Sequence, residues 1–150
     1  MNQDRSIGHQ LFLVSRAHHN LASKVFGQIG LCRGQPSVLK ELRLNEGLTQ
    51  CELALRLELT PPSLSNLLNR LEEAGLVERK VDSLDSRYTR IFLTVSGRSK
   101  LIEIDQATHT IDQAAFHGFS THEEKTLELF LNRIHANLND KIQTKMEHSS

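Results

Sequence analysis

A chain of 150 residues carrying 18 basic and 18 acidic side chains has the size of one domain, and its formal charge of zero excludes a polycation that coats any nucleic acid. No apolar run approaches the roughly 20 residues of a membrane helix, and the start MNQDRSIGHQ is polar, so no membrane partner and a cytoplasmic location are expected. Two cysteines, Cys32 and Cys51, make neither a disulfide framework nor a zinc site. Charge is uneven along the chain: six bases face three acids in residues 1–47, eight face seven in 48–100, and four face eight in 101–150. The acidity therefore lies in the last third, and affinity for an anionic partner would rest on local patches.

From residue 5 to about residue 29 the pattern is helical. Ile7, Leu11, Val14, His18, Leu21 and Val25 recur in steps of four and three, with Phe12 and Phe26 widening the apolar stripe. A helix this long exceeds the needs of one small domain, which points to a partner helix from a second copy. His18 lies in that seam, where burial disfavours its charge; it is the candidate ligand or proton sensor, against the plainer reading of a core histidine satisfied by a carbonyl. After a loop, residues 37–45 form a short helix with Val38, Leu39 and Leu42 inward, closed by Gly47.

Residues 49–94 are the informative stretch. Thr49 and Glu52 form a capping box, and Leu53, Ala54 and Leu57 give the helix after it an inner face. A second helix starts at Thr60 with Pro61 in its first turn, only Glu58 and Leu59 separating the two, so the crossing is sharp and the second helix protrudes. Leu64, Leu67, Leu68 and Leu71 form its inner stripe. Pro62, Ser65, Asn66, Asn69 and Glu73 fall on the outer face, with Ser63 and Arg70 at its margin. Short Ser and Asn side chains suit hydrogen bonding to base edges and phosphates, and they are also ordinary surface residues. Gly75 ends the helix. Residues 76–81 and 88–93 then read as two antiparallel strands joined by the loop DSLDSR. Between Leu76 and Lys100 six bases face three acids, a local excess of +3. A positive hairpin beside an exposed polar helix suits a duplex, with the helix in the major groove and Arg87 at the hairpin tip in the electronegative minor groove. Asp85, two residues earlier, is placed to aim the Arg87 guanidinium. Lys80 and Arg90 on the strands are candidates for phosphates.

The run ELALRL, then SLSNLLNRLEEAGLVER, then Asp82, the Asp85-Ser86-Arg87 triplet and Leu93-Thr94 with Gly97 resembles the MarR family of bacterial transcriptional regulators, most strongly from about residue 30 to 100. Pro62 departs from the small polar residue common at its place in that family. The resemblance implies a mainly α fold with a small β-hairpin wing, in which a winged helix-turn-helix core is flanked by long dimerisation helices. It implies a homodimer on a pseudo-palindromic double-stranded DNA operator, and a repressor released when a small aromatic or lipophilic effector, or in some branches an oxidant, enters near the dimer junction. The DNA-contact set carried over is Ser63, Ser65, Asn66, Asn69, Arg70, Lys80, Asp85, Arg87 and Arg90, with His18 as ligand-binding candidate.

Thr94 caps the next helix, which runs to about residue 117 with Leu101, Ile104, Thr108, Ile111 and Ala115 on one seam until Gly118 breaks it. Ser120 and Glu123 form another capping box, and Leu127, Phe130, Leu131, Ile134, Leu138 and Ile142 carry the last helix. The expected organisation is one domain over 1–150, with a winged core at about 34–95 and dimerisation helices at about 5–29, 95–117 and 120–145. Cys32 beside Arg33 and Cys51 in a first helical turn keep a redox-sensing regulator open, although the peroxide-sensing branch of the family places its cysteine in the first helix, which has none here. The eight histidines lack the i, i+4 spacing of a helical chelate, so no metal is expected. No phosphate loop, GxGxxG, HExxH or nucleophile elbow is present, so neither an enzyme nor a cofactor is expected. The alternative to a DNA reader is a winged-helix interaction module without specific DNA binding.

Overall fold

The computed structural model describes residues 6–147, and the chain divides between Ile111 and Asp112 into two compact units. The first contains α1 (Ile7–Gln28), α2 (Gln35–Leu44), β1 (Leu48–Thr49), α3 (Gln50–Arg56), α4 (Pro61–Glu73), β2 (Val77–Val81), β3 (Thr89–Leu93) and most of α5 (Val95–Ala115); the second contains the end of α5 and α6 (Thr121–Glu147). The fold is mainly helical with a small antiparallel sheet, as the sequence predicts. The sheet has a strand that periodicity does not show: β1, two residues long, pairs with β3, giving the order β1-β3-β2. Two residues are too few for an alternating pattern.

The helix-turn-helix forms where its caps dictate. Thr49 and Glu52 exchange bonds across the start of α3, Thr49 N donating to Glu52 Oε2 at 2.8 Å and Glu52 N to Thr49 Oγ1 at 3.3 Å. The turn passes through Glu58 at φ 53°, the only non-glycine positive φ among the described residues, and Leu59 N closes it on the Ala54 carbonyl at 3.0 Å. Thr60 caps α4, with prolines in its first turn where missing donors cost nothing. At the other end Gly75 takes φ 71°, its N–H donating to Glu72 O and that of Leu76 to Leu71 O, both at 2.9 Å. This pair of bonds satisfies the last carbonyls of α4 and turns the chain directly into β2.

The core is leucine-rich, as the scarcity of aromatics predicts. Val38, Leu39 and Leu42 of α2, Leu53 of α3, Leu64, Leu68 and Leu71 of α4, Ile91 of β3 and Ile104 of α5 are all sealed from solvent. Each leucine of this kind contributes roughly 2–5 kcal/mol against truncation to alanine. Some expectations need correction. The N-cap of α2 is Gly34 at φ 84°, so the helix begins at Gln35 rather than residue 37, with Pro36 in its first turn. Helix α5 ends at Ala115, two residues short of the expected end. His18 is exposed rather than buried; α1 has no buried residue, and of the expected seam Leu11, Leu21 and Val25 are half-buried while Ile7, Val14 and His18 are exposed. Both cysteines are exposed.

The joint between β3 and α5 is close-packed. Thr94 Oγ1 donates to Gly75 O at 2.6 Å and accepts from Gly97 N at 3.0 Å, pulling the start of α5 onto the α4–β2 turn. A Cβ on Gly97 would stand 2.0 Å from the Leu76 carbonyl oxygen, whereas one on Gly27 in α1 meets nothing within 4 Å. Gly97→Ala is therefore expected to cost roughly 1–3 kcal/mol in chemical denaturation, and Gly27→Ala to leave stability unchanged or slightly raised. Equal midpoints for the two variants would show that the joint is not close-packed.

Candidate nucleic-acid interface

Helix α4 is held from behind by its leucines and presents Ser63, Asn66, Asn69 and Arg70 to solvent; Ser65 is half-buried. Ser63 and Arg70, expected at the margin, are thus among the more open positions. The Ser63 hydroxyl accepts from Thr60 Oγ1 at 2.8 Å, so its own proton remains free to donate outward. Asn69 is not free on both sides of its amide. Arg79 of β2 donates to Asn69 Oδ1 at 3.1 Å and to Glu72 Oε2 at 2.5 Å, leaving the Asn69 NH2 as the outward group. That cross-link joins the second half of α4 to the first strand of the wing. In the sequence Arg79 registers only as charge, since no local spacing marks a partner seven or ten residues away.

The wing is ordered by two aspartates with different duties. Asp82 Oδ1 accepts the N–H of Leu84 at 2.7 Å and of Asp85 at 3.3 Å, fixing the turn, while its Oδ2 pairs with Arg90 Nε. Arg90 in turn donates to the Gly47 carbonyl at 2.9 Å, tying the hairpin to the residue before β1. Two Arg90 donors are therefore engaged within the fold, and its place is at the base of the wing rather than on an open strand. Asp85 accepts the Arg87 backbone N–H and Nε at 3.0 Å on Oδ1, and Arg87 Nη2 at 2.7 Å on Oδ2. This fork fixes the direction of a guanidinium whose side chain is still 81% exposed. The Arg87 guanidinium also lies 6.0 Å from the Tyr88 ring centroid. Lys80 is exposed, paired with Glu78 at 2.8 Å and set 5.4 Å from the Phe92 ring centroid.

His18 stands apart from this surface. It lines an open groove of about 540 Å³ between α1 and the start of α2, with Phe12, Ala22, Phe26 and Pro36. Among the described residues no cluster of three or more potential metal ligands occurs, and no helix is long and apolar enough to cross a membrane.

The two wing aspartates titrate low for identifiable reasons. The Leu84 amide and then the Arg90 guanidinium hold Asp82 below its ordinary value, and the Arg87 guanidinium and amide do the same for Asp85. A carboxylate with a lowered folded pKa contributes its hold fully above the ordinary value of about 3.9, and loses it as the pH falls through the lowered value. The wing is therefore expected to stay intact at pH 5 and above and to open only below about pH 4. Tyr88 is the sole tyrosine in a chain without tryptophan, so intrinsic fluorescence reports on the wing directly. A Tyr88 transition centred above about pH 5, with far-ultraviolet circular dichroism unchanged, would contradict this.

A family profile described as the MarR family matches residues 29–87, which run from the end of α1 to Arg87 of the wing. The HTH-type transcriptional regulator YybA of Bacillus subtilis (strain 168) is 22% identical over 129 residues, 86% of each chain. The crystal structure of the transcriptional regulator SlyA superposes with a TM-score of 0.82 at 25% identity, covering 91% of this chain and 96% of that one. The S. aureus MepR structure, a complex with DNA, superposes with a TM-score of 0.79 at 25% identity over 91% and 99% of the two chains. With a capped helix-turn-helix, an aspartate-ordered wing and long flanking helices, the chain has the winged-helix fold of the MarR-family transcriptional regulators it is similar to, and residues 29–87 carry the match to that family.

Proposed function

We propose that the chain is a sequence-specific double-stranded DNA-binding regulator that acts as a homodimeric repressor on a pseudo-palindromic operator. One observation carries the reading: an arginine at the hairpin tip, 81% exposed and aimed by a bidentate carboxylate, beside a helix whose open face is Ser63, Asn66, Asn69 and Arg70. A surface arginine held in one direction has already lost the entropy that a minor-groove contact would otherwise cost. In this reading Ser63, Ser65, Asn66 and Asn69 meet base edges and phosphates in the major groove, while Arg70 and Lys80 meet phosphates. Asp85 positions Arg87, and Arg90 positions the wing through Asp82. MepR of S. aureus, solved in complex with DNA, supports a duplex as the partner.

The homodimer rests on unburied apolar surface. Helix α1 exposes Phe12 and Val14, and α6 exposes Leu129, Phe130, Leu131, Leu138 and Ile142. Large apolar side chains left open along each of these helices are covered most economically by the same helices of a second copy. The groove at His18 is the proposed place of a small aromatic or lipophilic effector whose binding relaxes the hold on DNA, and the cytoplasm is the proposed compartment.

Two expected outcomes follow. Selection of wild-type protein on random duplexes near physiological salt enriches an inverted repeat with half-sites about one helical turn apart, and Arg87→Ala lowers affinity for that duplex by roughly tenfold or more per half-site with the dimer intact. Absence of enrichment from folded dimeric protein would instead favour an interaction module. In sedimentation velocity the 17.0 kDa chain runs as a dimer, and Phe130→Glu with Leu131→Glu shifts it to monomer; a wild-type monomer would refute the assembly.

A further inference from the structure

The cations of the winged core are almost all occupied. Arg43, Arg56, Arg79, Lys80, Arg87, Arg90, Arg98 and Lys100 each form an ion pair within the chain, and Lys40 donates to Thr108 Oγ1. Among the described residues two arginines in this region have no such side-chain partner, Arg70 of α4 and Arg33 of the corner between α1 and α2. They line the same open groove, of about 750 Å³, together with Ser63, Asn66 and Asn69. Two guanidiniums without a carboxylate partner, lining one groove beside the protruding helix, mark a place for an anion. Glu73 also lines the groove, and two positive charges against one leave it net positive.

The corner that carries Arg33 is fixed against the helix. Gly34 stands at φ 84°, and a Cβ there would come within 2.9 Å of Leu67 Cδ1 on α4. Gln35 Oε1 accepts the Cys32 N–H at 2.7 Å, closing the corner from the other side. Arg33 is therefore presented from a rigid support in contact with α4, not from a loose loop.

We propose that Arg33 contacts the DNA backbone. It binds a phosphate along the strand that borders the major groove entered by α4, and together with Arg70 it grips the duplex from the side of the helix opposite the wing. This rests on the duplex-binding reading above and adds to it a contact from outside the helix-turn-helix and wing. A phosphate contact positions without reading sequence, so loss of Arg33 weakens binding to all duplexes alike.

The test measures affinity for the selected duplex as a function of salt for wild type, Arg33→Gln and Lys24→Ala. Lys24 is an exposed cation on α1 outside the groove, so its variant removes the same charge elsewhere. One lost phosphate contact lowers the slope of log K against log salt by about 0.9 per half-site, which near 0.15 M salt is about fivefold in affinity. Arg33→Gln is expected to show this loss with an unchanged ranking of operator variants and an unchanged thermal midpoint, and Lys24→Ala to show the wild-type slope. An unchanged slope in Arg33→Gln, or an equal drop in both variants, overturns the contact. A changed preference at one base pair also overturns it, because Arg33 would then read a base. Failure of wild type itself to bind any duplex specifically refutes the underlying function instead.

Discussion

A helix that leaves one face open to solvent still has to be held in a single orientation, and the rest of this structure depends on how α4 meets that demand. Leu64, Leu68 and Leu71 anchor it in the core, and its two ends are fixed by the Thr60 cap and the Gly75 turn. Since apolar burial is non-directional, the leucines hold the helix down without setting its angle to the wing. That angle comes from polar bonds: Arg79 from β2 to Asn69 and Glu72, and Thr94 from the head of α5 to Gly75. Helix and hairpin are thereby coupled into one unit.

The charge of the wing is divided between two aspartate–arginine pairs with different exposure. Asp82 and Arg90 form an inner pair, with the Asp82 side chain only 9% exposed, and their work is geometric: they close the turn and tie the hairpin to Gly47. Asp85 and Arg87 form an outer pair in which the cation stays open to solvent while the carboxylate is partly covered. An exposed pair of this kind adds little to stability. Its effect is geometric, because the arginine keeps one direction while its outer face stays open to solvent.

Much of this was legible in the sequence, and the failures have physical causes. Capping boxes, the Gly75 stop and the leucine stripe of α4 are local patterns within a few residues, and the helices formed within two residues of the expected limits at most ends. The Asp85–Arg87 fork was legible because its partners are two residues apart. Arg79, the Arg90–Gly47 bond and strand β1 were not, since each depends on a partner brought close only by the fold. His18 lies on the predicted seam and yet is exposed, because an apolar stripe shows that a face wants a partner but not that its own chain supplies one. The same open stripe on α1 and α6 is what the proposed second copy would cover.

In the proposed function α4 and the wing act as one reader spanning two grooves, and chemical protection tests this most directly. Dimethyl sulfate methylates guanine N7 in the major groove and adenine N3 in the minor groove, so one reagent reports on both faces of a bound duplex. On the selected operator the account predicts protection of major-groove guanines together with minor-groove adenines to one side of each half-site, with the adenine protection alone disappearing in Arg87→Ala. Protection of guanines with no adenine protected in the wild type, or adenine protection that survives the loss of Arg87, would contradict it.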